Sequence, residues 1–292
     1  MAPLPAPVVR RLARTAEVLT LVHPRWGVAL AGRIGRLAAR GDDRWRVFTV
    51  GELEALLGAL PPAELLDIRR NVAEQEFRNA ALRRLLMARG VGAIEPLVVA
   101  VHAEPFLRQR ETGVPTIVVG WHLGPSWGRS AALRRLGRPA LCGAGRAELP
   151  PDASVGPVRH LRSQRDGSAT AFLKAALAEL EGGGVVALQL DGRRGIPMEF
   201  LGHRAMVGRG AGWLARRTGA RLVPATGRFV GSWQIEWTFH EPLPEPAVPR
   251  DPVGPFERAV LQGAVTFFEA WARAHPELLR VPPFRRLLAR ST

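Results

Sequence analysis

Two hydrophobic patterns divide the chain. Over residues 1–110 apolar positions recur at helical spacing, clearest in "GELEALLGALPPAELLDIRRNVAEQEFRNAALRRLLMARG". Pro61-Pro62 breaks that stretch, and a second helix restarts there, because proline suits a first helical turn. "VGAIEPLVVAVHAEPFLRQRETG" then leads toward the first strand. From 111 to 292 short apolar runs alternate with helical segments. "TIVVGW", "PALCG", "VVALQL", "RLVPATGRFV" and "QIEWTFHEPL" have strand character. "SAALRRLG", "GSATAFLKAALAELEGGG", "GRGAGWLARRTGA" and "FERAVLQGAVTFFEAWARAH" have helical character. This order predicts an α/β fold: a mostly parallel central sheet covered by helices, preceded by a helical N-terminal portion. The short Gly231-Ser232 connection predicts an antiparallel hairpin at one edge. No repeat or linker separates 1–110 from 111–292, so one continuous domain is the simplest account.

The 292 residues, 47% of them hydrophobic, are enough for a sizeable core. The net charge of +15 changes the picture more. Lys174 is the only lysine, so the positive charge is almost entirely arginine. Such a surface favours anionic partners: phospholipid, phosphorylated substrates, acidic carrier proteins or nucleic acid. Cys142 stands alone, which excludes a disulfide within the chain and a cysteine-based zinc site, and suits a reducing cytoplasm. No metal is expected. His23, Pro24, Arg25 and Arg33 interrupt the apolar stretch at 18–35, and no run of eighteen apolar residues occurs, so no transmembrane helix is expected. Arg10, Arg11 and Arg14 precede Val18, Leu19 and Leu21. That combination suits either a peripheral helix on an anionic membrane surface, on the inner face of the cell membrane, or a helix packed on the core.

Parallel sheets place ligands beyond the carboxyl ends of their strands. His122 closes "TIVVGW" and Asp191 closes "VVALQL", so parallel strands would bring a base and an orienting carboxylate to one rim. The glycine-rich stretch "DGRRGIPMEFLGHRAMVGRG" carries Arg193, Arg194, Arg204 and Arg209, suited to phosphate or to solvated loop positions. A rival reading takes Gly124-Pro125-Ser126-Trp127-Gly128 as a nucleophile elbow. Ser126 would then be the nucleophile of a hydrolase, with His203, His240 or His275 as base and Asp191 or Asp251 as orienter.

"VGWHLGPSWG" followed by "VALQLDGRRGIPMEFLGHRAMVGRGAGWLARRTGARLVPA" resembles the bacterial lipid A late acyltransferases, the lauroyl and myristoyl transferases of the lysophospholipid acyltransferase superfamily. The resemblance is strongest over 115–245. It implies transfer of an acyl chain from an acyl thioester, on acyl carrier protein or coenzyme A, to a hydroxyl or amine of a lipid or glycolipid-like acceptor, with no further cofactor. The family's H-x-x-x-x-D/E pattern assigns His122 as general base. Its acidic position falls on Trp127, so either a carboxylate comes from elsewhere, Asp191 first and Glu199 second, or His122 works alone at reduced rate or on a more acidic nucleophile. Arg193, Arg194 and Arg209, with Glu199 and Trp127, are the substrate-binding candidates. A degenerate homologue that binds lipid or thioester without turnover is the alternative. Nucleic-acid binding ranks last, since no such module is recognisable and tyrosine is absent.

Overall fold

The computed structural model describes residues 5–41, 47–137, 139–144, 156–162, 168–251 and 254–289. Two helices open the chain, α1 (Ala6–Val22) and α2 (Pro24–Ala38). A short α3 (Val50–Leu57) follows; the Thr49 hydroxyl accepts from the Glu52 N–H while the Glu52 carboxylate accepts from the Thr49 N–H. Next come α4 (Pro62–Arg89), β1 (Val98–His102) and α5 (Glu104–Glu111). Pro62 opens α4 and Gly90 closes it, at the break seen in the sequence. The α/β part runs β2 (Thr116–Gly120), α6 (Arg129–Arg135), β3 (Ala140–Ala144), β4 (Val158–Arg162), α7 (Ser168–Glu181) and β5 (Val185–Gln189). It continues through β6 (Asp191–Phe200), β7 (His203–Val207), α8 (Gly210–Thr218), β8 (Arg221–Val230) and β9 (Gln234–Phe239), and ends in α9 (Pro255–Ala274) and α10 (Val281–Leu288).

Seven strands form one sheet in the order β1-β9-β8-β2-β5-β3-β4. From β8 to β4 every pairing is parallel. The β8–β9 hairpin is antiparallel, as its short connection implied. Beyond it β1 pairs parallel with β9 and forms the rim. The expected helical N-terminal portion therefore contributes one strand to the sheet. The arginine-rich stretch after β5 is not an open connection either: β6 and β7 form a separate antiparallel ribbon.

Side chains alternate across the sheet and fill two cores. Ile117, Val119, Val186, Leu188 and Leu222 face one, with Phe172, Leu214 and Phe268 from α7, α8 and α9. Val118, Val185, Ala187 and Val223 face the other, with Val28, Phe77 and Leu133 from α2, α4 and α6. Helix α4 contributes to both, through Ile68 and Val72 on one side and Ala73 and Phe77 on the other. Burial on both sides suits a parallel sheet whose strands are nearly continuous in apolar residues. Among the described residues no helix is long and apolar enough to cross a membrane.

Candidate active site

The carboxyl ends of β2 and β5 lie side by side, because Thr116–Gly120 pairs in register with Val185–Gln189. The Leu190 N–H then donates to the Gly120 carbonyl at 2.9 Å, which brings the start of β6 against the end of β2. There the Asp191 carboxylate grips His122 twice. One oxygen accepts from the His122 backbone N–H at 2.9 Å and the other lies 2.8 Å from Nδ1. A carboxylate can only accept, so Nδ1 carries the proton and the Nε2 lone pair remains for chemistry. The imidazole is 34% exposed and the carboxylate 12%, so the ring can reach substrate while its partner is largely shielded from water. This is the orientation a general base needs.

The loop after His122 is held by segments distant in sequence. Gly124 adopts φ +54°, in the left-handed region, and a Cβ there would collide with the Gly227 carbonyl. Its N–H donates to the Leu278 carbonyl at 2.8 Å, and its carbonyl accepts from the buried Asn79 amide at 3.1 Å. Leu123 forms an antiparallel bridge with Leu279. Two residues on, the Ser126 hydroxyl accepts from Arg280 at 3.1 Å. Arg280 is itself paired with Glu76 at 2.8 Å, and the Glu76 carboxylate also accepts from the Val281 N–H at 2.7 Å. Both members of this pair are buried.

A second buried cation lies beneath the dyad. Arg129 donates to the Leu188 carbonyl and to Gln189 Oε1, each at 2.7 Å. Gly120 makes room for it: a Cβ at that position would stand 2.6 Å from the guanidinium. Burial lowers the Arg129 pKa, opposed by attraction to Cys142 and to Asp191. Beside the dyad a small cleft is lined by Trp121, Asp191, Met206, Phe284, Arg286 and Leu287. Its back wall is rigid, since Trp121 stacks on Phe200 with ring centroids 4.2 Å apart.

The other expected residues are dispersed. Trp127 packs against the second core, with the Arg83 guanidinium 5.9 Å from its ring centroid. Glu199 is exposed and pairs across the ribbon with Arg204, near the turn and away from the strand end that carries Asp191. Arg209 stays near the dyad, because the Gly208 N–H donates to the Leu190 carbonyl at 2.7 Å, but its guanidinium lies 3.6 Å from the buried Glu257 carboxylate. Arg194 is exposed on β6, and the side chain of Arg193 lies outside the described part of the structure. The bases of the rival reading have other partners. His203 lies 2.8 Å from the Ala55 carbonyl, His240 lies 2.8 Å from the Thr226 hydroxyl, and His275 faces Glu277 at 3.5 Å. Asp251 faces Arg216 at 3.6 Å.

Sequence reasoning missed Arg129, Arg280 and Glu76. In a chain with 41 lysines and arginines, a single arginine carries no signal of burial. Glu76, inside the run "VAEQEF", had the one available clue: a carboxylate among residues otherwise suited to a buried helix face. No protein-family model matches the chain, and no curated protein matches it.

Proposed function

We propose that the protein is an acyltransferase, moving an acyl chain from an acyl thioester to a hydroxyl or amine of a lipid or glycolipid-like acceptor. The observation that carries this reading is the doubly bonded His122–Asp191 pair at the carboxyl rim of the sheet. His122 Nε2 removes the proton from the acceptor as its oxygen or nitrogen attacks the thioester carbonyl. Asp191 stabilises the imidazolium that forms. The tetrahedral adduct collapses, the carbon–sulfur bond breaks, and the proton on Nε2 passes to the departing thiolate. Acyl carrier protein and acyl-coenzyme A both present the required thioester and an anionic surface, matching the net charge of +15. The resemblance of "VGWHLGPSWG" and of the stretch from Val186 to Ala225 to the lipid A late acyltransferases supports the same chemistry.

The test is thiol release and acyl-product mass with a panel of acyl-coenzyme A and acyl carrier protein thioesters. His122→Ala should lower transfer by about a hundred- to ten-thousandfold, the range general-base catalysis supplies. Asp191→Asn should lower it too, and Ser126→Ala should retain most of it. A covalent acyl-Ser126 adduct, with transfer lost in Ser126→Ala, would establish the hydrolase instead. A folded parent protein that binds thioester and never turns it over would establish the degenerate homologue.

A further inference from the structure

Helix α1 has two apolar faces. Val9, Ala13, Ala16 and Thr20 pack inward. On the outside Val8, Leu12 and Val22 are exposed at helical spacing, with the half-buried Leu19 between them and the exposed Val18 beside them. Eight large apolar side chains are exposed among the described residues, and five of them, Val8, Leu12, Val18, Val22 and Trp26, lie on α1 and the first turn of α2. The most exposed are at the corner between the helices: Val18 at 58%, Val22 at 66% and Trp26 at 73%. Trp26 separates two grooves. One, of about 480 Å³, runs past Val22, Arg89, Pro96 and Leu97. The other, of about 470 Å³, runs past Leu19, Leu30, Arg33 and Trp233. Arg25 lies over the Trp233 ring at 4.6 Å, so the second groove ends in a cation.

The charge on these two helices is strongly positive. Residues 5–41 contain seven arginines, at 10, 11, 14, 25, 33, 36 and 40, and a single carboxylate, Glu17. Exposed aliphatic side chains, a protruding tryptophan and a collar of arginines are what an interfacial surface presents to headgroups and the upper acyl region.

We propose that the α1–α2 corner is a docking surface for an anionic phospholipid bilayer, with Val18, Val22 and Trp26 entering the interface and Arg10, Arg11, Arg14, Arg25 and Arg33 contacting the headgroups. Its position has a consequence for the site. Trp233 lies in the turn after β8, and β8 runs parallel to β2, so the corner stands at the same rim of the sheet as His122. Docking there brings the dyad to the membrane surface, where a lipid acceptor resides. That last step rests on the acyltransferase reading; the docking itself does not.

The experiment is co-sedimentation of the full chain with vesicles of phosphatidylcholine alone or in equal parts with phosphatidylglycerol, without thioester. Binding is expected to the anionic vesicles and to weaken as salt rises, since screening acts on exposed charges. The pair Val22→Ser and Trp26→Ser should lower the partition at least about tenfold, because it removes two large apolar groups from the interface. Both side chains are mostly exposed in the fold, so the thermal melt should be unchanged. Arg11→Gln with Arg14→Gln should lower binding to anionic vesicles alone. His122→Ala should sediment like the parent, which separates this result from the outcome of the activity assay. Equal sedimentation of the parent and the Val22→Ser/Trp26→Ser protein would overturn the proposal. So would an absence of vesicle binding in a parent that self-associates in ultracentrifugation through the same two residues, which would assign the corner to a second copy of this chain.

Discussion

The tautomer of His122 is fixed by a residue 69 positions away. The carboxylate does not come from the loop that follows the histidine; it comes from the first residue of β6, just past the end of the neighbouring strand β5. The substitution works geometrically because β2 and β5 are in-register neighbours, so residues just past their ends are adjacent. Trp127 is then released to pack as a hydrophobic residue, and its indole N–H is buried without a hydrogen-bond partner. Trp127→Glu should accordingly fail to raise transfer, since Nδ1 is already bonded to Asp191. It should lower the melting temperature by burying a carboxylate against the second core. Transfer assays beside thermal melts check both, and a gain in rate without loss of stability would count against the Asp191 assignment. His122 and Asp191 were legible in the sequence because each ends an apolar run. The side chains that hold the loop were not, because their partners, such as Glu76 and Arg280, meet only in the fold.

Among the elements, the parallel strands and their helices follow the hydrophobic pattern closely, and the exceptions share a cause. In β6 and β7 the buried Met198, Phe200, Ala205 and Val207 alternate with exposed or half-buried neighbours. That is strand spacing, but Gly192, Gly195, Pro197 and Gly202 give the stretch the look of a loop. β4 is "VRHLR", with two arginines and a histidine in five residues, so its polarity hid it. The segment from Pro276 to Val281 has a larger role than its loose pattern suggested, because it bridges α4 to the His122 loop. Arg280→Met would leave Glu76 buried and unpaired, at a cost of about 3–5 kcal/mol. Glu76→Leu combined with Arg280→Met should recover much of that stability, since apolar replacement of a whole buried pair is often neutral. It should still lose transfer rate, because the Val281 N–H loses its tie to α4 and the segment that holds Gly124 through the Leu278 carbonyl is loosened. Urea denaturation alongside kcat measurement separates the two effects, and full activity in the double variant would remove the pair from the positioning of the site.

For the molecule as a whole, one buried imidazole ties stability to pH. His240 packs between the Thr226 hydroxyl and the rings of Phe267 and Trp271. Burial pushes its pKa down to about 4. The unfolded chain, with an imidazole near its usual value of about 6.5, binds more protons than the fold between these values, so stability is lost as pH falls from about 6.5 toward 4. His240→Gln should flatten that dependence: the parent should lose more melting temperature between pH 7 and pH 5 than the variant does. Parallel slopes would place the acid sensitivity in other groups.

The long-range ties of the His122 loop also set an order of events during synthesis. Ser126 waits for Arg280, 154 residues downstream, and Glu76 waits across 204 residues for the same side chain. A nascent chain can pair β2 with β5 and join His122 to Asp191 well before that arginine leaves the ribosome. The loop locks only when the segment around Arg280 has emerged, so a growing chain that has paired His122 with Asp191 still carries an unfinished loop.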